Sequence, residues 1–217
     1  SSMVGVRRDD KTIGDFTIDA EEFKHAVVTI SGVKVIQNHE ATHVPVEREL
    51  RRNNKMLVTG PNGIGKSTML RALAEGKNED ARIAEGVKVG YYRQDFSGLD
   101  FEETAYASLA AMMDVPDNEI IRRTGAKFLL SGDVLATPVG ALSEGQKGLL
   151  SMARFVLQKP ALLIFDEPTN HINFRHLPVI AKALNQYEGC LIMVSHDQEF
   201  VNQITFDSTL DLATLIK

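Results

Sequence analysis

Apolar positions along this chain follow two rhythms. Met56–Thr59 and Val87–Tyr92 read as short strands, and Leu162–Phe165 and Leu191–Val194 are unbroken apolar runs. Unbroken runs of that length suit central strands of a parallel sheet, which are covered on both faces. Elsewhere the spacing widens to three and four. Ser67–Ala74, then Leu109, Met112 and Met113, then Ile120, Ile121, Phe128 and Leu129 have the helical period. Asp117, after Pro116, and Ser143 stand where N-caps belong, and Pro160 should stop the helix that Ser143 opens. Pro178–Tyr187 reads as one more helix.

Strands alternating with helices predict an α/β fold with a parallel sheet. The helical block at about 97–150 breaks the alternation and predicts an inserted helical subdomain. Toward the start of the chain, Ala26–Ile30 and Val33–Gln37 are β-rich, with Ser31-Gly32 between them as a hairpin turn. These predict an N-terminal antiparallel β subdomain. Residues 1–22 are polar and without period, so they are expected to be loose, with the folded domain covering 23–217.

Composition narrows the picture modestly. With 217 residues, 43% of them hydrophobic, the chain can bury the core of one domain carrying a small subdomain. A net charge of −5 weighs against broad, sequence-independent nucleic-acid binding. The short basic cluster Arg48, Arg51, Arg52 and Lys55 reads as solvated surface. The single cysteine, Cys190, lies in an apolar run and reads as core filler. With no leader-like start and no apolar stretch of about 18 residues, a cytoplasmic protein without direct membrane insertion is expected.

Candidate chemistry enters at Gly60-Pro61-Asn62-Gly63-Ile64-Gly65-Lys66-Ser67, followed by Thr68. This fits G-x-x-x-x-G-K-[ST] between a predicted strand and a predicted helix, the setting the motif requires. The glycines let successive amide N–H groups turn inward on phosphate oxygens, and the helix N-terminus adds partial positive charge. Lys66 should reach the outer phosphates and Ser67 should offer its hydroxyl to Mg²⁺. Asp166 and Glu167 end the apolar run Leu162–Phe165, at the strand edge where ligands bind in open α/β sheets. Asp166 is the candidate metal carboxylate and Glu167 the candidate base for the attacking water. Taken alone, the pair reads equally well as a core strand ending in solvated acids.

Four further stretches follow in order. They are Gln94 in "YYRQDF", Leu142–Gln146 as "LSEGQ", "DEPTNHIN" from Asp166, and "SHD" at Ser195–Asp197. Together with the phosphate loop they resemble the nucleotide-binding domain of the ABC ATPases, a P-loop NTPase fold, over about Ala26 to Leu212. The forms "DEPTNH" and "SHDQEF" resemble the ABC-F subfamily, which is soluble and ribosome-associated. The resemblance implies ATP and Mg²⁺ as cofactors. It gives Gln94 a role at Mg²⁺ and water and His196 a role near the γ-phosphate. It also implies that Ser143, Gly145 and Gln146 cap a nucleotide held by another domain. Two such domains pair head to tail around two ATPs, and one domain holds two half-sites. The single domain resembles the second half of a longer chain. The function implied is ATP hydrolysis coupled to pairing and to a cytosolic partner such as the ribosome. The alternatives are a motor subunit of a membrane transporter and an ATP-binding clamp that does not turn over.

The chain departs from the family pattern at several places. Glu144 replaces a glycine of the signature and is expected to point to solvent. The basic residue usual after the signature glutamine is missing at Gly148-Leu149, and Ile172-Asn173 replace Leu-Asp. "QNHEATHVP" lacks the aromatic residue that normally stacks on adenine, leaving His39 or His43 as candidates. Poor discrimination between ATP and GTP follows as an expectation.

Overall fold

A computed structural model describes residues 11–216 and divides the chain into two sheets and a helical block. β1 (Val28–Gln37) pairs antiparallel with β2 (Glu40–Leu50) on one side and β4 (Ala81–Ile83) on the other. The second sheet is parallel throughout. It orders β5 (Val89–Tyr92), β6 (Leu162–Asp166), β7 (Cys190–Val194), β3 (Lys55–Thr59) and β8 (Ser208–Asp211). Helix α1 (Lys66–Ala74) follows β3. Helices α2 (Ala105–Ala110), α3 (Asn118–Lys127) and α4 (Glu144–Gln158) are inserted between β5 and β6. α5 (Leu177–Gln186) and the single turn α6 (Gln198–Val201) complete the set.

The central strands alternate their side chains between two apolar cores, as a period of two requires. Leu57, Leu163, Phe165, Leu191 and Met193 face the helical block. Met56, Val58, Leu162, Ile164, Cys190, Ile192 and Val194 face the antiparallel sheet and α1. Both faces of this sheet are therefore buried, which is why its strands read as unbroken apolar runs. Cys190 is fully buried, and burial pushes its thiol up to about 12. It is packing, as its apolar neighbours suggested.

The helix caps stand where the sequence puts them. Asp117 accepts from the Ile120 amide, and Ser143 and Gln146 form a reciprocal capping box at the head of α4. Arg154 of α4 donates to the Ser108 carbonyl and hydroxyl at 2.7 Å, tying α4 to α2.

The antiparallel sheet corrects the expected hairpin. Ser31-Gly32 is not a turn. β1 runs straight through it with a bulge between Ile30 and Gly32, and the Ser31 and Gly32 amides both donate to the Asp80 carbonyl. A Cβ on Gly32 would come within 2.5 Å of His43 Nε2, so a larger residue there would push the His43 ring aside. The real turn is Asn38-His39, both left-handed at φ 53° and 65°, the signature of a two-residue hairpin loop.

The basic cluster is largely committed to partners. Arg51 pairs with Glu49, Arg52 with Glu188 at 2.7 Å, and the buried Lys55 donates to the Tyr187 carbonyl at 3.0 Å. Of the segment expected to be loose, residues 1–10 lie outside the described residues. Residues 11–22 form no helix or strand, yet Ile13, Phe16 and Ile18 are buried in the helical core. The Gly14 amide donates to the Lys127 carbonyl and the Glu21 amide to the Lys159 carbonyl, both at 3.1 Å. Ile13 N donates to Nδ1 of the buried His176 at 3.2 Å. Backbone bonds to other elements hold this segment without giving it a period of its own. Among the described residues no helix is long and apolar enough to cross a membrane.

Candidate functional site

β3 delivers the chain to Gly60 at the C-terminal edge of the parallel sheet. Gly60, Gly63 and Gly65 all have positive φ, and a Cβ on Gly60 would lie 2.9 Å from the Ile64 side chain. The loop closes back on α1, whose N-cap is Gly65. That cap offers no side-chain hydrogen bond, and no acidic residue sits in the first turn. The leading amides of α1 are thus left without a side-chain cap, the arrangement that binds phosphate. Lys66 donates its ammonium to the carbonyls of Gly60 and Pro61, the latter at 3.1 Å. Burial holds its pKa below the ordinary lysine value, opposed by the Glu167 and Asp166 carboxylates.

A cavity of about 590 Å³ opens over this loop. Asn62, Gly63, Gly65, Lys66, Ser67 and Thr68 line it from below, and Gln94, Glu167 and His196 from the side. Gly60, Pro61 and Ile64 shape the loop from beneath and do not line the cavity. Asp166 sits just behind. Ser67 Oγ donates to its Oδ1 at 3.0 Å, and the carboxylate is buried at 4% exposure. Burial raises its pKa, opposed by the Ser67 hydrogen bond and by the positive charges of Arg71 and Lys66. A hydroxyl and a buried carboxylate converging on one point fit a divalent cation.

Glu167 caps the end of β6 in a left-handed conformation, φ 53°, held by its amide donating to the Val194 carbonyl at 2.8 Å. A non-glycine residue kept in this region marks a site the surrounding structure over-determines. Its carboxylate meets His196 twice. Oε2 accepts from the His196 amide at 3.1 Å, and Oε1 lies 3.1 Å from ring Nε2. Burial raises the pKa of Glu167, with the His196 amide and ring pulling the other way. A carboxylate so placed can accept a proton from water while the histidine orients it.

Ser143, Gly145 and Gln146 lie elsewhere. They line a separate cavity with Asn170, His171, Ile172 and Asn173, and none of the three borders the phosphate-loop cavity. Asn170 borders both. Ser143 Oγ accepts from the Gln146 amide and Gln146 Oε1 from the Ser143 amide, closing the capping box. Glu144 keeps 71% of its side chain exposed but does not simply face solvent, because its Oε2 lies 3.0 Å from His171 Nδ1.

Sequence reasoning missed Ile36, Asn170 and Val194 as lining residues. Neither His39 nor His43 borders the cavity, and His43 is committed to Asp80 at 2.9 Å. Ile36 stands there instead. Its amide donates to the Ile64 carbonyl at 2.9 Å, and its side chain lies 3.6 Å from where a Gly65 Cβ would be. A nucleobase reaching toward β1 would meet an aliphatic wall that distinguishes no donor or acceptor pattern. The KM values for ATP and GTP are therefore expected to agree within about threefold, where a hydrogen-bonding pocket discriminates by orders of magnitude. Steady-state kinetics with each nucleotide checks this, and a strong preference for ATP would contradict it.

Phosphate loop, buried acids and strand order together define a P-loop nucleotide-binding domain. The sequence model of the ABC transporter family matches residues 44–170, more than half of the chain, and the chain belongs to that family as an ABC-type ATP-binding domain. It is similar to the putative ATP-binding protein YdiF of Bacillus subtilis (strain 168). The two are 41% identical over 159 residues, covering 71% of this chain and 25% of that protein. Similarity to ATP-binding cassette sub-family F member 2 of Mus musculus is 29% over 203 residues, covering 90% and 32%. Among solved structures, one chain of a model of ribosome-bound archaeal Pelota and ABCE1 shares the fold, with a TM-score of 0.63, 21% identity and coverage of 90% and 34%. A putative metal-chelate type ABC transporter in an inward-facing conformation gives 0.65, 20% identity and coverage of 87% and 80%. The chain spans about a quarter to a third of the length of the curated relatives it matches.

Proposed function

We propose that the chain hydrolyses Mg·ATP and that its turnover depends on head-to-tail pairing with a second ABC domain. That domain is either another copy or a sister domain of a longer chain. The observation carrying this is the separation of two site halves: Lys66, Glu167 and His196 border one cavity, and Ser143, Gly145 and Gln146 border another. Gly60–Thr68 cradle the phosphates. Ser67, Asp166 and Gln94 hold Mg²⁺, which when bound neutralises phosphate charge. Glu167 accepts the proton of the attacking water and His196 keeps both in line. The head of α4, presented by Ser143, Gly145 and Gln146, caps the γ-phosphate of the nucleotide held by the other domain.

The ABC domain is taken as 23–217 with its helical part at about 97–150, against which Ile13, Phe16 and Ile18 of the preceding segment pack. Similarity to sub-family F proteins, together with the "DEPTNH" and "SHDQEF" stretches, supports a cytoplasmic role in which pairing drives a partner such as the ribosome. Specific activity should rise with chain concentration, and light scattering should show ATP-dependent dimers. Rapid turnover by a strict monomer, independent of concentration at saturating ATP, would overturn the pairing requirement.

A further inference from the structure

His176 is a buried histidine that the ATPase steps leave unused. It keeps 5% of its surface exposed and stands at the N-cap of α5, where its side chain makes no cap bond. Its Nδ1 accepts from the Ile13 amide at 3.2 Å. Burial, with the Arg175 charge beside it, lowers its pKa, so the ring is neutral at neutral pH. A neutral imidazole that accepts at Nδ1 carries its proton on Nε2. Among the described residues Nε2 meets no acceptor, and it is not sealed within the protein. The ring borders the second cavity, of about 590 Å³, together with Ser143, Gly145 and Gln146.

The tautomer is set from outside that cavity. The Gly14 amide donates to the Lys127 carbonyl at 3.1 Å, Asp15 pairs with Lys182 at 3.2 Å, and Phe16 meets Phe128 edge-on. These contacts hold the Ile13 amide against Nδ1 and so keep the donor on the other nitrogen. Phe128 and Leu149 also border the cavity, and a hydrogen bond in apolar surroundings is stronger than one in water. Buried donors are seldom left without a partner. One left open beside the head of α4, where the backbone amides already favour negative charge, suits an anion.

We propose that His176 is a binding residue of the second half-site, donating from Nε2 to a phosphate oxygen of the nucleotide held by the paired domain. The proposal rests on the head-to-tail reading above. Ile13 is then a positioning residue, acting through the ring.

Two substitutions separate the ring nitrogens. His176→Gln keeps an amide donor near the place of Nε2 and loses the acceptor for Ile13. His176→Asn keeps an acceptor near the place of Nδ1 and loses the distal donor. Mg·ATP turnover is followed as chain concentration rises. The concentration giving half-maximal turnover should increase at least about tenfold in His176→Asn, as for loss of a hydrogen bond to a charged group, and stay within about threefold of wild type in His176→Gln. A fluorescent ATP analogue should bind the unpaired chain of each variant as it binds the wild type, because the phosphate loop is untouched. A purely structural role reverses the order, with His176→Asn tolerated and His176→Gln impaired. That result, or wild-type pairing in both variants, overturns the proposal. Nitrogen NMR of the Glu167→Gln chain decides the matter if either variant fails to fold. Adding Mg·ATP should move the His176 Nε2 resonance as pairs form and leave Nδ1 nearly in place. Pairs that form with Nε2 unmoved overturn the proposal alone. A wild type that neither pairs nor gains activity with concentration overturns the pairing reading, and the proposal with it.

Discussion

Glu167→Gln is expected to lower ATP turnover by about 10²–10⁴-fold, the range for loss of a positioned general base. The amide is nearly isosteric and its oxygen can still accept from the His196 amide, now at 3.1 Å from Oε2. It cannot take a proton from water. It also removes a negative charge from a wall of the phosphate cavity. ATP should therefore stay bound and paired species should accumulate. Phosphate-release kinetics gives the first effect and light scattering in Mg·ATP the second. A variant that turns over within about threefold of the wild type would show that Glu167 is not the base. A wild type with no turnover at all would instead favour a binding clamp.

Phe16→Ala is expected to cost about 3–5 kcal/mol of stability, as for other buried phenylalanines. Phe16 keeps 6% of its surface exposed and meets Phe128 edge-on, with ring centroids 4.7 Å apart. Against a typical domain stability of about 5–15 kcal/mol, that loss is a large fraction of the whole. Urea unfolding should show a lowered midpoint with the slope unchanged. A cost within about 0.5 kcal/mol, as for surface positions, would mean that residues 11–22 ride on the domain without belonging to it. His176 adds a dependence on pH. Burial lowers its pKa, and its Nδ1 must stay unprotonated to accept from Ile13. Its contribution is present above the ordinary imidazole pKa and is lost as pH falls below it.

The contrast between Phe16 and Phe165 shows where sequence reasoning reaches. Phe165 lies in an unbroken apolar run, and β6 and β7 could be read directly because burial on both faces leaves no polar position inside them. Ile13, Phe16 and Ile18 match neither period, because partners in other elements hold them. β2 escaped for a different reason. It is an edge strand, exposed at most positions, with Pro45 and several charges along it, the devices that protect sheet edges and also erase strand signals. The Asn38-His39 turn carries no glycine to announce it.

Within the candidate site, the phosphate loop was legible because each position answers a backbone requirement that sequence records. Asp166 and Glu167 were legible from their place at the end of an apolar strand. Ile36 was not, since β2 separates it in sequence from the loop it covers. The pairing of Glu144 with His171 depends on α4 packing beside the turn after β6, which no local pattern encodes.

Lys66 rests on the carbonyls of Gly60 and Pro61, two residues of its own loop. Its ammonium is therefore a brace for the glycine backbone as well as a positive charge. A Lys66→Ala exchange would strip the loop of an internal tie along with its cation, so any loss of nucleotide affinity in that variant would mix a mechanical effect with an electrostatic one.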